Sequence, residues 1–159
     1  MMTIRIHHFF DIIRDLRTGE KIIPDTNYKH SYHSVANTLR DSPDIKMKIV
    51  IGADSVCDGC IHNLNGICDD PLTIKKGFSM KYDYNNWLDK RILGIYNLSE
   101  GQVITPAKIC KSADKYIDNI YNIYVVDSKE DVDVRKKEFI EGLKFYSTHN
   151  DFKLKYLSK

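Results

Sequence analysis

Asp54-Ser55-Val56-Cys57-Asp58-Gly59-Cys60-Ile61-His62-Asn63-Leu64-Asn65-Gly66-Ile67-Cys68 carries three of the four cysteines of the chain. In a Cys-x-x-Cys turn two thiolates can reach one ion, and a glycine between them tolerates the positive φ that a tight loop needs. Asn65-Gly66 is a tight-turn dipeptide that sends the chain back and returns Cys68 towards the first pair. Three soft donors therefore converge locally, and a fourth has to come from elsewhere in the chain.

Composition sets the frame around this loop. The 159 residues suit one domain able to bury about two-thirds of its unfolded surface, so folding does not depend on a metal. We read 1–159 as that domain, with a metal-binding core over about 3–126 and an extra C-terminal helix and tail over 127–159. Lys and Arg total 24 against 22 Asp and Glu, a formal charge of +2, with 42% hydrophobic residues. So small an excess disfavours a dedicated nucleic-acid binder. Three clustered cysteines do not make a secreted disulfide framework, whereas a reduced Cys-x-x-Cys suits metal or redox chemistry in the cytoplasm. No run approaches the ~18 apolar residues of a membrane span, and Met1 to His8 lacks a signal peptide's apolar core.

Upstream of the loop, Ile45, Met47, Ile49 and Ile51 alternate with Lys46, Lys48 and Val50, which predicts a strand feeding straight into Asp54. A second strand is predicted over Thr3 to His7. From His8 the apolar positions take helical spacing at Phe9, Ile12, Ile13 and Leu16, with Thr18-Gly19 as the stop. Pairing the two strands would bring the His7-His8 junction beside the cysteine loop. If the helix opens there, Asp11 stands three and four residues from the two imidazoles and can share their side. A helix through Tyr32, Val35, Ala36 and Leu39 follows, and we read His30 and His33 near its start as surface or capping residues. Downstream, Tyr84, Trp87, Leu88, Ile92, Ile95 and Tyr96 form a helical stripe. Thr105-Pro106 opens another helix running to about Val126, and Ser128 opens the last. Residues 72–80 have no clear pattern, and 153–159 read as a polar tail. Cys110 falls beside an apolar stripe and reads as a small buried hydrophobe. The fold class is α+β: a small sheet of two or more strands, four or five helices and a Cys-rich metal loop.

The pair His7-His8-Phe9-Phe10, taken with Asp54 to Asn63 and Cys68, resembles the DUF1284 family of small bacterial and archaeal proteins. Trp87-Leu88-Asp89-Lys90-Arg91-Ile92-Leu93 and Gly101-Gln102-Val103-Ile104-Thr105 extend the likeness over about residues 3–120. The resemblance implies an iron–sulfur cluster, of the 4Fe–4S type, rather than any particular reaction. At the position where the family carries a cysteine after the histidine pair and two apolar residues, this chain has Asp11. That leaves Cys57, Cys60, Cys68 and a carboxylate where a four-cysteine set is expected.

Thiolates suit zinc or iron–sulfur clusters. Three thiolates with His8, or less favourably His7 or His62, make a closed Cys3His zinc site that only fixes structure. Three with Asp11 leave one exchangeable corner, at which Asp11 or His8 would be candidates for moving protons. The leading expectation is an iron–sulfur protein in electron transfer or cluster-based catalysis. The alternative is a zinc-stabilised binding module, and the partner, whether a small molecule or a redox protein, stays open.

Overall fold

The computed structural model describes residues 1–72 and 77–154. Its centre is a three-stranded sheet of β1 (Met2–Ile4), β2 (Met47–Ile49) and β5 (Val103–Ile104), in the order β1-β2-β5. β1 and β2 are parallel with Ile4 opposite Ile49, while β5 is antiparallel to β2 with Ile104 opposite Met47. Ile4, Met47 and Ile49 are fully buried, so the alternation in β2 sends its two apolar side chains into the core and leaves Lys48 in solvent. A parallel pair needs a long crossover. Here α1 (Ile6–Asp15) and α2 (Tyr32–Arg40) supply it.

α1 begins almost without a break from β1, with Arg5 as the extended residue before its first turn. Phe9, Phe10, Ile12, Ile13 and Leu16 are all buried, and Gly19 ends the following 3-10 turn in the left-handed conformation. The Phe10 ring stacks on Tyr116 with centroids 3.9 Å apart. A second small sheet, β3 (Asn63–Leu64) and β4 (Ile67–Cys68), is the hairpin predicted at Asn65-Gly66, where both residues have positive φ. α3 (Lys81–Tyr96) follows it. The predicted caps are present: Thr105 Oγ1 accepts from the Lys108 N–H, and Ser128 Oγ from the Asp131 N–H.

Two expectations are corrected. The single helix predicted from Pro106 to Val126 is three short ones, α4 (Pro106–Lys111), α5 (Ala113–Asp118) and α6 (Ile120–Ile123). Ser112 and Asn119 interrupt it with φ near −108° and −109°, as residues whose side chains compete for backbone groups tend to do. With α7 (Lys129–His149) the described residues hold seven helices, not four or five, in an α+β fold. Nor is α7 an appendage. It lies along α1, and one cluster of buried apolar side chains runs from Ile4 to Leu154. Of the stretches read as patternless or tail, 73–76 and 155–159 lie outside the described residues. Among the described residues no helix is long and apolar enough to cross a membrane.

The α1–α7 contact is backbone to backbone at Gly142, where an added Cβ would stand 1.9 Å from the Ile13 carbonyl oxygen. Gly142→Ala therefore forces the helices apart and should cost at least the ~1–3 kcal/mol of ordinary overpacking. Gly94, in the exposed interior of α3, has nothing within 4 Å of such an atom. Gly94→Ala should gain ~0.5–1 kcal/mol. Denaturant midpoints of the two variants are expected to move in opposite directions.

Candidate functional site

Parallel pairing sets the C-terminal ends of β1 and β2 side by side, the edge at which open α/β sheets commonly bind ligands. Leaving β1 are Arg5, Ile6, His7 and His8; leaving β2 is the segment that begins at Asp54. The Asp54 carboxylate joins them. Its Oδ2 accepts from the Arg5 N–H at 2.7 Å and from His8 Nδ1 at 2.8 Å. Its Oδ1 accepts from the Val56 N–H at 3.1 Å and, more distantly, from the Cys57 thiol at 3.5 Å. Ser55 Oγ also accepts from the Thr3 N–H. The start of the cysteine loop is thus bound to the strand–helix junction through side chains placed by local backbone geometry.

A second carboxylate fixes the junction to α3. Asp89, with no exposed surface, accepts from Arg5 Nε at 2.8 Å, from the His7 N–H at 3.0 Å and from His7 Nδ1 at 2.7 Å. Arg5 Nη2 donates to the Asn86 side-chain carbonyl. Only 2% of Arg5 is exposed. A buried cation without its partner is costly, so Asp89 is as necessary to Arg5 as Arg5 is to the junction.

The cysteine loop opens with a 3-10 turn over Ser55–Cys57, and the Cys60 N–H then donates to the Cys57 carbonyl at 3.1 Å. Gly59 between them has φ +79°, and a Cβ there would meet the Lys29 carbonyl oxygen at 2.9 Å. That close approach reflects how residues 25–31 lie across the loop. The Ile61 N–H donates to the Tyr28 carbonyl, the Ser31 N–H to the Val56 carbonyl and Ser31 Oγ to the Asp58 carbonyl. Asn63 Nδ2 closes the turn on the Cys57 carbonyl, and β4 returns Cys68 to the same side.

Cys57, Cys60 and Cys68 all line one cavity of about 180 Å³. They also line a smaller space of about 20 Å³ with Arg5, Ala53 and Asn63. His8 and His62 share the larger cavity. His8 spends Nδ1 on Asp54, which leaves Nε2 as the nitrogen available to the cavity. The other two predicted residues do not line it. His7 is turned onto Asp89, and Asp11 forms an ion pair with Arg135 of α7 at 2.7 Å. Asp11, whose charge still acts on His8, thus braces α1 against α7 rather than lining the cavity. Sequence reading missed Arg5, Tyr28, His30, Asp70, Lys81 and Asn85, which complete the wall. As the side chains stand, and among the described residues, no three His, Cys, Asp or Glu form a set that could hold one metal ion.

Charge is distributed unevenly over these groups. Burial opposes the protonation of His8, but the charge of Asp54 and its hydrogen bond outweigh it and hold the imidazole above its ordinary range. Burial likewise opposes ionisation of Asp54, yet His8 and the Arg5 N–H keep its carboxyl below the usual range. Burial lowers His7 below its ordinary value even though Asp89 acts against it. Asp89 is brought down to about 2 because His7 and Arg5 more than offset its desolvation. Burial, reinforced by the nearby Asp54 charge, pushes the Cys57 thiol up to about 12. Free of metal, Cys57 is a thiol at neutral pH, and a metal that took it as thiolate would release its proton.

Two predictions follow from these pairs. In metal-free protein, NMR titration should place His8 above the ordinary ~6.5, and Asp54→Asn should bring it below that value. The raised value means that the stability contributed by this pair is complete below ~6.5 and is lost as pH rises through the folded-state pKa. Asp89 has the opposite sign. Its contribution is complete above the unfolded-state value of ~3.9 and is lost as pH falls towards about 2. Asp89→Asn leaves Arg5 buried and unpaired, and should cost ~3–5 kcal/mol by denaturant unfolding near neutral pH.

A family model described as "Protein of unknown function (DUF1284)" matches residues 25–126. No curated protein and no solved structure matches the chain. The matched span contains all three loop cysteines and the whole of α3, but begins after His7, His8 and Asp11, so the likeness read at the histidine pair lies outside it. Because the match covers well over half of the chain, the protein belongs to the DUF1284 family, whose function is unknown.

Proposed function

We propose that the protein holds an iron–sulfur cluster on Cys57, Cys60 and Cys68, with His8 Nε2 rather than Asp11 as the donor at the remaining corner. The observation that carries this reading is the shared cavity: three thiols from one loop and an imidazole from another element line a single space of about 180 Å³. The donor chemistry fits, since thiolates are the usual ligands of such clusters and one imidazole can replace a thiolate. The Asp54–His8 bond supports it too, because ligating histidines characteristically donate their other ring N–H to a carboxylate, which fixes tautomer and orientation. Such a cluster would supply electron transfer or Lewis-acid chemistry. The chain's own part is to orient His8 through Asp54, to keep Arg5 as a buried cation beside the thiolates, and to screen them beneath residues 25–31.

A structural Cys3His zinc site is the second reading. It is favoured by the smaller space of about 20 Å³ among the same three thiols, close to the size of one water or ion. A single ion would need the thiols to turn inward from where they stand. In that case the metal would fix the loop as a binding surface, without redox chemistry. Both readings call for reduced thiols, which supports a cytoplasmic location. We expect a small molecule or a redox protein as its partner rather than nucleic acid.

Purification without oxygen decides between the two. The cluster reading requires iron, acid-labile sulfide and a brown colour with broad visible absorption. One equivalent of zinc with no sulfide sinks it. Replacing any of Cys57, Cys60 or Cys68 by serine should abolish metal retention, and His8→Ala should change the spectrum or speed metal loss by about tenfold or more. Asp11→Ala should leave metal content unchanged; metal loss in that variant would restore the carboxylate as a ligand.

A further inference from the structure

The larger cavity is more than a holder for metal. Its three thiols are shared with the smaller space, so a metal bound by them would sit at one wall. Tyr28, His30, Asp70, Lys81 and Asn85 line only the larger cavity, as do His8, His62 and Val56. Two permanent cations face it, Arg5 and Lys81, against one carboxylate, Asp70. The anions that pair with Arg5 and His8, Asp89 and Asp54, do not line it.

Each cation has donors to spare. Arg5 commits Nε to Asp89 and Nη2 to Asn86, and among the described residues no protein acceptor is found for Nη1. Arg5 lines the cavity, so an occupant can reach its guanidinium from that side. The Lys81 ammonium has three N–H donors, of which one goes to Asp70, and it stands 5.4 Å from the centre of the Tyr28 ring. About 180 Å³ is below the ~300–1,000 Å³ of sites for drug-sized ligands, and a metal on the three thiols takes part of it, so only a small occupant fits in what remains.

We infer that this cavity binds a small carboxylate between Arg5 and Lys81, beside the position of a metal held on Cys57, Cys60 and Cys68. A carboxylate is planar and matches a guanidinium edge, while its second oxygen can take a donor from Lys81. Asn85, one turn further along α3, adds a neutral polar group to the same wall. The inference rests on the proposed metal reading for the neighbour of the ligand, but not for the cations that hold it.

The test is calorimetric titration of the protein as purified without oxygen, using malonate as the probe and determining metal and sulfide on the same sample. One saturable site is expected in the wild type. Lys81→Gln should weaken it about tenfold or more, the cost of losing a hydrogen bond to a charged group, while Lys81→Arg should keep it within a few-fold. Lys136→Gln, on the outer face of α7, should leave it unchanged. Absence of saturable binding, equal affinity in Lys81→Gln, or weakening in Lys136→Gln would overturn the inference. Inorganic phosphate binding as tightly as malonate would overturn the choice of a carboxylate. Zinc without sulfide in the sample removes the cluster and leaves the titration to decide the carboxylate site by itself.

Discussion

A guanidinium with 2% of its surface exposed persists inside a protein only when its charge is matched, and the match for Arg5 is Asp89. That pair does more than cancel a charge. Asp89 belongs to α3, Arg5 links β1 to α1, and the same carboxylate takes both the N–H and the ring of His7, so sheet, α1 and α3 meet at one point. The Arg5 N–H in turn reaches Asp54, and Asp54 sets both His8 and the first turn of the cysteine loop. A well-packed apolar substitute could equal such a pair in stability. It could not carry the directional bonds that fix where His8 and Cys57 stand.

Legibility followed sequence separation. The hairpin at Asn65-Gly66, the Thr105 and Ser128 caps and the alternation of β2 are local, and each was readable from a few neighbouring residues. The pairing of β1 with β2 was a topological expectation; its parallel sense, which brings His8 to the cysteines, was not read from the sequence. Asp11 was misplaced because its partner, Arg135, is 124 residues away and leaves no trace near the histidine pair. Asp89 did leave a signal. It lies in register with Ile92, Leu93 and Tyr96, so a charged residue falls on the buried face of α3, and such a position calls for a partner. His30 was read as surface because only the fold lays residues 25–31 over the loop. The breaks at Ser112 and Asn119 were visible as residue types, but the apolar stripe running through them outweighed that signal.

The site is also divided across the chain. Cys57, Cys60, Cys68, His30, His62, Asp70, Lys81 and Asn85 fall within the span matched by the family, whereas Arg5 and His8 come before it. α7 follows that span and braces α1 through Asp11–Arg135, Arg14–Glu138 and the close contact at Gly142. Support from outside the matched span thus reaches the cavity through α1: α7 holds α1, and α1 holds His8.

The β1–β2 pairing has a consequence in time as well as in space. Met2 stands opposite Met47, so the chain must close a long loop before the two strands can meet, and non-local parallel pairing is slow relative to hairpins and helices. The β3–β4 hairpin, by contrast, needs only its own turn. The hairpin can thus return Cys68 before β1–β2 pairing brings Arg5 and His8 to the loop. The slowest pairing in the sheet is therefore the one that completes the wall Arg5 and His8 give to the cavity.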